Sequence, residues 1–321
     1  MINDKLLKAA GSVAPPDCSA YTSNTNQNIG VTVKKAQHDM GGIRCSTGVN
    51  WMGTYNHNGH ALYVGHGASL GEYGLTTAFD TTTKGTRTDI VSNMGIGTIT
   101  DIWFNGGSSS STRTWAAVSG TGIATYQQNG AVLSTNNSFS GLSQMLSMSC
   151  DGTEFTVFGG MTGSNSSAEV TFNTYRLGSA YNTSNITLVR SSTWNIQTFL
   201  FNNAPHHPGS RQWTTSKMGA TWNTDGSQFM GVIRDNYYGD HYYFVGTAST
   251  NFDITSISIT SSGVISNFAS TDWTASLPNQ KYGSWKFAHN QSLSSQNKYA
   301  VYFTHANGYY CRDRVYIYGF S

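Results

Sequence analysis

The sequence predicts an all-β protein, and two observations carry that expectation. Charged residues make up only 11% of the 321 residues while aromatics reach 13%. Soluble globular chains usually carry roughly 25% charge, and disordered ones combine high charge with few aromatics. The polar load falls instead on Ser, Thr, Asn and 35 Gly, which suit turns and strand faces better than helices. The second observation is an internal echo. "YGLTTAFDTTT" (Tyr73 to Thr83) returns as "YRLGSAYNTSN" (Tyr175 to Asn185) and, shortened, as "NFDITS" from Asn251. A local phrase that recurs within one chain marks a repeated structural unit.

What precedes each echo defines the unit. "WMGTYNHNGHALYVG", "LSMSCDGTEFTVFGG" and "MGATWNTDGSQFMGVIRD" each contain an Asx-Gly pair: Asn58-Gly59, Asp151-Gly152 and Asp225-Gly226. Each pair leads shortly to Leu62, Phe155 or Phe229. Asx-Gly between apolar runs is a strong hairpin signal, because a tight turn needs positive φ at its central residues. The unit therefore reads as strand, Asx-Gly turn, strand, longer loop, strand ending in Tyr-x-Leu, and a further strand.

Two stretches fit with weaker punctuation. Asp101 to Gly130 contains strands around Trp115 to Val118 and Ile123 to Tyr126, and Ser284 to Ser321 contains strands at Tyr299 to Phe303 and Arg314 to Tyr318. Blocks of this length with four short strands match the blades of a β-propeller. The last block stops after its third strand, whereas "NIGVTVKKA" (Asn28 to Ala36) is an orphan strand ahead of the first. A ring closes if that strand completes the final blade, which removes two exposed edges. The expectation is a single propeller of about five blades over residues 18–321, or six if "STWNIQTFLFNN" (Ser192 to Asn203) opens its own. Tyr73 and Leu75 are expected in the inter-blade core. Asp80, Asn182 and Asp253 are expected to make local Asx turns.

Residues 1–17 stand outside the ring as an N-terminal arm. Asn3 can cap a short helix with Leu6, Leu7 and Ala10 on one side, and Gly11 with Pro15-Pro16 ends it. Such a helix is marginal alone and suits docking to a partner. No basic n-region or apolar h-region precedes it, so no signal peptide is expected, and no run of ~18 apolar residues spans a membrane. The net charge of +2 gives no basic face for nucleic acid. Cys18, Cys45, Cys150 and Cys311 lack metal or redox spacing and are expected as reduced thiols.

The opening "MINDKLLKAAG", ahead of a Ser/Thr/Asn/Gly-rich chain, resembles the start of many virion structural proteins of tailed, particularly marine, bacteriophages. The phrases "[DN]G-x-x-[LF]" and "YxL-x-x-A-[FY]-[DN]" resemble repeats in propeller-like proteins of such phages. The resemblance implies a virion protein made in the host cytoplasm and carried in multiple copies on tail, fibre or capsid surface. Its arm, residues 1–17, would contact other virion proteins. The turns "SCDGTEF" and "NTDGSQF" brush against the Asp-box of sialidases without matching it fully. The scattered arginines do not supply the cluster a sialidase-type site needs.

Candidate chemistry is sparse. His57 and His60 flank a turn and His66 follows, but no carboxylate or Cys stands at ligand spacing, so no metal is expected. His206-His207 lie in "APHHPG" as a surface excursion. No nucleotide, hydrolase or metalloprotease motif occurs in a suitable context, and no cofactor is expected. The acids open to a paired-carboxylate role are Glu72, Glu154, Asp235 and Asp240. The densest polar–aromatic cluster is "RDNYYGDHYYF", where Asp235, Tyr237, Tyr238, Asp240, Tyr242 and Tyr243 would form a glycan platform. Taken alone, the sequence points to a non-enzymatic virion structural protein. A glycan-binding receptor adhesin is the first alternative and an envelope-polysaccharide glycosidase the second.

Overall fold

A computed structural model describes the backbone of residues 32–39, 51–55, 60–78, 80–105, 114–127, 129–139, 146–149, 151–162, 169–195, 218–222, 228–234, 241–247, 258–264, 282–288, 298–305 and 314–320, with side chains across most of 60–194. These residues form twenty strands and one short 3-10 turn, Thr81–Thr83, with no α-helix among them. The all-β class expected from composition is what is found.

The strands assemble into five four-stranded antiparallel sheets. Sheet I contains β2 (Trp51–Tyr55), β3 (Ala61–His66), β4 (Ser69–Leu75) and β5 (Lys84–Val91). Sheet II contains β6 (Ile99–Asn105), β7 (Thr114–Ser119), β8 (Ile123–Gln127) and β9 (Val132–Asn136). Sheet III contains β10 (Leu146–Met148), β11 (Glu154–Thr162), β12 (Glu169–Leu177) and β13 (Ile186–Asn195). Sheet IV contains β14 (Met218–Trp222), β15 (Gln228–Arg234), β16 (His241–Thr247) and β17 (Ser258–Val264). Sheet V contains β18 (Tyr282–Ala288), β19 (Lys298–His305), β20 (Arg314–Phe320) and, as its fourth strand, β1 (Thr32–Asp39).

In sheets I to IV, sequence order is spatial order. Sheet V departs from this, because β1 runs antiparallel to β20, with Thr32 opposite Phe320 and Asp39 opposite Arg314. The register skips Lys35, a bulge that re-aims one residue without ending the pairing. The strand expected over Asn28 to Ala36 thus extends to Asp39. Residues 192–195 belong to β13, and the rest of the stretch from Ser192 to Asn203 lies outside the described residues. First strands lie against one another: β2 touches β6 and β18, β10 touches β6 and β14, and β14 touches β18.

Burial grades across each sheet. Ala61 to Gly65 on β3 and Ile123 to Tyr126 on β8 are buried at consecutive positions, whereas the outer strands β5 and β9 are exposed or half-buried everywhere except Val91. Continuous apolar runs such as "ALYV" and "IA" follow from having neighbouring sheets on both faces. One core joins sheets I and II through Tyr63, Leu70, Ile99, Ile102, Ala117 and Tyr126. A second joins II and III through Val118, Ile123, Met148, Phe155, Val157, Leu177 and Tyr181. Phe155 stacks on Tyr175 with centroids 5.1 Å apart, and Phe139 meets both rings edge-on. Tyr63, Tyr126, Phe155 and Phe172 are fully buried, and each such side chain contributes roughly 1.5–3 kcal/mol of transfer free energy. Tyr73 and Leu75 are buried as the repeat implied.

In sheet III a glycine and a tyrosine meet closely. Gly152 has φ +69°, and a Cβ there would lie 2.4 Å from the Tyr181 ring. Gly152→Ala therefore combines a left-handed backbone with overpacking, and is expected to cost about 2–4 kcal/mol. A Cβ on Gly120 would meet nothing within 4 Å, and the backbone there is not left-handed. Gly120→Ala should therefore change stability by less than about 0.5 kcal/mol. Thermal or urea unfolding of both variants checks this; equal effects would contradict it.

Candidate functional site

Antiparallel order sorts the connections into two ends. First-to-second and third-to-fourth connections share one end of a sheet; second-to-third connections and the links to the next sheet share the other. All three Asx-Gly pairs fall in first-to-second connections, and all three echoes lead into third-to-fourth connections. The recurring phrases thus belong to one end, here the repeat end. The opposite, connector end takes segments that do not repeat, including 40–50, 196–217, 235–240 and 265–281.

Sheet III shows what the repeat end is made of. Ser149 Oγ donates to Asp151 Oδ1 (2.6 Å) and accepts the Glu154 amide (2.9 Å). Asp151 Oδ1 also accepts the Thr153 amide (3.0 Å) and hydroxyl (2.8 Å). The next loop docks on this turn, with the Tyr181 amide donating to Gly152 O and the Leu177 amide to Thr153 O, both 2.8 Å. The same loop reaches sheet II. Thr125 Oγ1 donates to Tyr181 O (2.6 Å), the Thr183 amide donates to Ser134 Oγ (2.9 Å), and Asn136 Nδ2 donates to Thr183 O (2.9 Å). The Asx turns expected at Asp80 and Asn182 are present: Asp80 Oδ1 accepts the Thr82 amide at 2.9 Å, and Asn182 Oδ1 accepts the Ser184 amide at 3.0 Å. Asp253 lies outside the described residues.

These contacts commit the acids of the repeat end to structure. Glu154 is held by Arg176, with Nε at 2.9 Å and Nη2 at 2.6 Å. Asp80 and Asp151 organise their turns. Glu72 is half-buried on β4 opposite Tyr63 and Thr88, in a different sheet from Glu154, so those two do not meet. His60 is exposed, with Nδ1 3.0 Å from Leu75 O. No group of three metal-ligating side chains occurs among the described residues.

At the connector end, segment 92–98 ties sheets I and II. The Met94 amide donates to Ala68 O and the Ile99 amide to Gly67 O, both at 2.7 Å. The Tyr126 hydroxyl donates to Met94 O. Just inside this end lies Asp101, which composition and motif spacing did not single out. It is 1% exposed on β6 beside a bulge at Thr100, and its Oδ1 accepts the Ile102 amide at 2.8 Å. Sealed from solvent, it shapes the start of the first strand. Its signal in the sequence was an acid inside the apolar run "ITDIWF".

Of the predicted platform, Asp235, Tyr237, Tyr238 and Asp240 lie outside the described residues. Their flanking residues, Arg234 and His241, pair with each other at the connector end of sheet IV. Tyr242 stands opposite Ile233 and Val264, and Tyr243 opposite Val232 and Gly263. Leu6, Leu7 and Ala10, the four cysteines, His57, and His206-His207 also lie outside the described residues.

No family model matches the chain, and no curated protein matches it. Solved structures do resemble it. A neuraminidase-like protein of A/flat-faced bat/Peru aligns over 92% of this chain and 95% of its own at 7% identity, TM-score 0.45. A GH43 β-xylosidase/α-arabinofuranosidase from a compost microbial metagenome aligns over 89% and 94% at 8% identity, TM-score 0.44. A luciferin-regenerating enzyme aligns over 85% and 79% at 10% identity, TM-score 0.38. The expectation of a non-enzymatic protein is corrected here. Solved structures that resemble this chain include proteins named for an enzyme activity, and a missing sequence motif is no ground for excluding activity.

Asp151 makes the repeat end sensitive to acid. Burial raises its carboxyl's pKa, but the hydrogen bonds from Ser149 and Thr153 outweigh that and hold it below the ordinary value near 3.8. A folded-state value below the unfolded one adds stability that is complete above about pH 4 and is lost as pH falls through the folded value. Asp151→Asn keeps the acceptor oxygen and removes the charge. The wild-type advantage in melting temperature over this variant is expected to shrink below about pH 4; parallel pH profiles would refute the assignment.

Proposed function

We propose that this chain is a five-bladed β-propeller, closed by β1, that acts on carbohydrate at its connector end, as an envelope-polysaccharide glycosidase would. The five sheets, the contacts among their first strands and the β1–β20 pairing support the ring. One observation carries the placement of the activity. The repeat-end acids whose side chains are described are bound into turns or an ion pair, while the unrepeated segments join strand ends on the other side.

Asp235 and Asp240 are the carboxylates we assign to the reaction, with Tyr237 and Tyr238 between them in the sequence. Glycoside hydrolysis uses two carboxyl groups, one giving a proton to the leaving oxygen and the other activating water or attacking the sugar. Aromatic faces beside them suit the apolar faces of sugar rings. We further propose that residues 1–17 carry the protein on a phage particle, a reading that rests on the opening resemblance and the phrase repeats. Display in many copies would add avidity to a weak single site.

Reducing-sugar release from host-envelope polysaccharides tests the activity. Asp235→Asn and Asp240→Asn are each expected to lower turnover by roughly 10²–10⁴-fold with the melting temperature unchanged. Retention of polysaccharide without release would favour the adhesin reading. Neither retention nor release, across polysaccharides from susceptible hosts, would overturn the proposal.

A further inference from the structure

We infer that loop 76–83 of sheet I is the latch that holds the closing strand β1 against β20. This loop has a counterpart in sheet III. Loop 178–185 repeats it in sequence, Tyr175 to Asn185 answering Tyr73 to Thr83, and repeats it in geometry. Asp80 Oδ1 accepts the Thr82 amide (2.9 Å) and hydroxyl (2.6 Å); Asn182 Oδ1 accepts the Ser184 amide (3.0 Å) and hydroxyl (2.6 Å). The Asp80 amide donates to Thr77 O at 3.1 Å and the Asn182 amide to Ser179 O at 3.0 Å. Each loop is tied to the first hairpin of its own sheet, through Leu75 N–H to His60 O (2.7 Å) and Leu177 N–H to Thr153 O (2.8 Å).

Direction follows from where such connections dock. Loop 178–185 grips the third and fourth strands of the preceding sheet, through Thr125 on β8 and Ser134 and Asn136 on β9. The corresponding turn of sheet II also leans on the sheet before it: a Cβ on Gly130 would lie 2.3 Å from Ile90 O of β5. Sheet I has sheet V on its other side, since β2 lies against β18 and β19. The third and fourth strands of sheet V are β20 and β1. Loop 76–83 is therefore placed to do to the β20–β1 seam what loop 178–185 does to β8 and β9.

The seam needs such a device. β5, β9, β13 and β17 each follow their pairing partner directly in the chain, so a short connection keeps them in register. β1 and β20 lie at opposite ends of the sequence, and nothing covalent brings them together except the whole ring. Ordering a strand without that linkage carries the full loop-closure entropy. Side-chain bonds from a neighbouring sheet offset it.

Hydrogen–deuterium exchange of the full chain tests this. Asp80→Ala should speed exchange in residues 32–39 and 314–320 by roughly tenfold, the effect expected from losing hydrogen bonds to a charged acceptor, and leave 123–136 as in the wild type. Asn182→Ala should do the reverse. Asp80→Asn, which rebuilds the sheet III version of the turn, should restore protection of β1. If Asp80→Ala does not fold, Thr82→Val removes one of the two bonds and should show the same pattern, smaller. Wild-type exchange at β1 and β20 in a folded Asp80→Ala or Thr82→Val chain would overturn the inference, as would equal loosening of 123–136.

Discussion

The described structure depends on one contact: the third-to-fourth loop of a sheet seated on its own Asx-Gly turn and on the sheet before it. At sheet III the seat is so close that only glycine fits beneath Tyr181, and Tyr181 itself is held at φ 58°. A bulky residue in the left-handed region is strained. It persists because its amide bonds Gly152, its carbonyl receives Thr125, and its ring fills the core between sheets II and III. This is why the same words recur a hundred residues apart. Turn glycine, aromatic, Asx and hydroxyl are parts of one joint, and changing any of them loosens two sheets.

The same joint accounts for the composition. The hydroxyls of Ser149, Thr153, Ser134, Thr125 and Ser184 bind backbone groups or Asx oxygens around the sheet III joint, and that of Thr183 binds the Ser134 hydroxyl. Hydroxyls do this at short range with little desolvation, where lysine or glutamate would need solvent. A chain whose sheets are fastened by hydroxyl-capped turns has little use for surface ion pairs, which contribute about 0–1 kcal/mol each. The fastening also divides the labour. One end carries the joint and its recurring words, and the segments that join the other end do not repeat in sequence.

Much of this was legible in the sequence because it rests on local chemistry. Asx-Gly announces a turn wherever it occurs, and Tyr73 and Leu75 alternate as any half-buried strand does. The orphan early strand was legible from counting strands in the last block. Its extent was not: "QHD" looks like loop, yet pairs through residue 39 because an outer strand is held by backbone bonds indifferent to side-chain polarity. Residues 192–195 looked like a fresh start, yet they prolong β13 beyond the mean strand length. Asp101 was passed over because its role lies in a bulge that only the pairing with β7 reveals. The grip of Thr183 on Ser134 was hidden for another reason: hydroxyl pairs are so common in this chain that no spacing distinguishes the ones that meet. The non-enzymatic reading rested on missing motifs, and a paired-carboxylate site has no fixed sequence motif.

The most direct test of this account is amide exchange under native conditions, resolved residue by residue. If the loop-on-turn joint belongs to the cooperative unit, Leu177, Gly178, Tyr181 and Thr183 will exchange only by global unfolding, with the same opening free energy as Val157 in the middle of β11. Exchange of those loop amides by local fraying, while Val157 stays protected, would show that the sheets hold together without the joint.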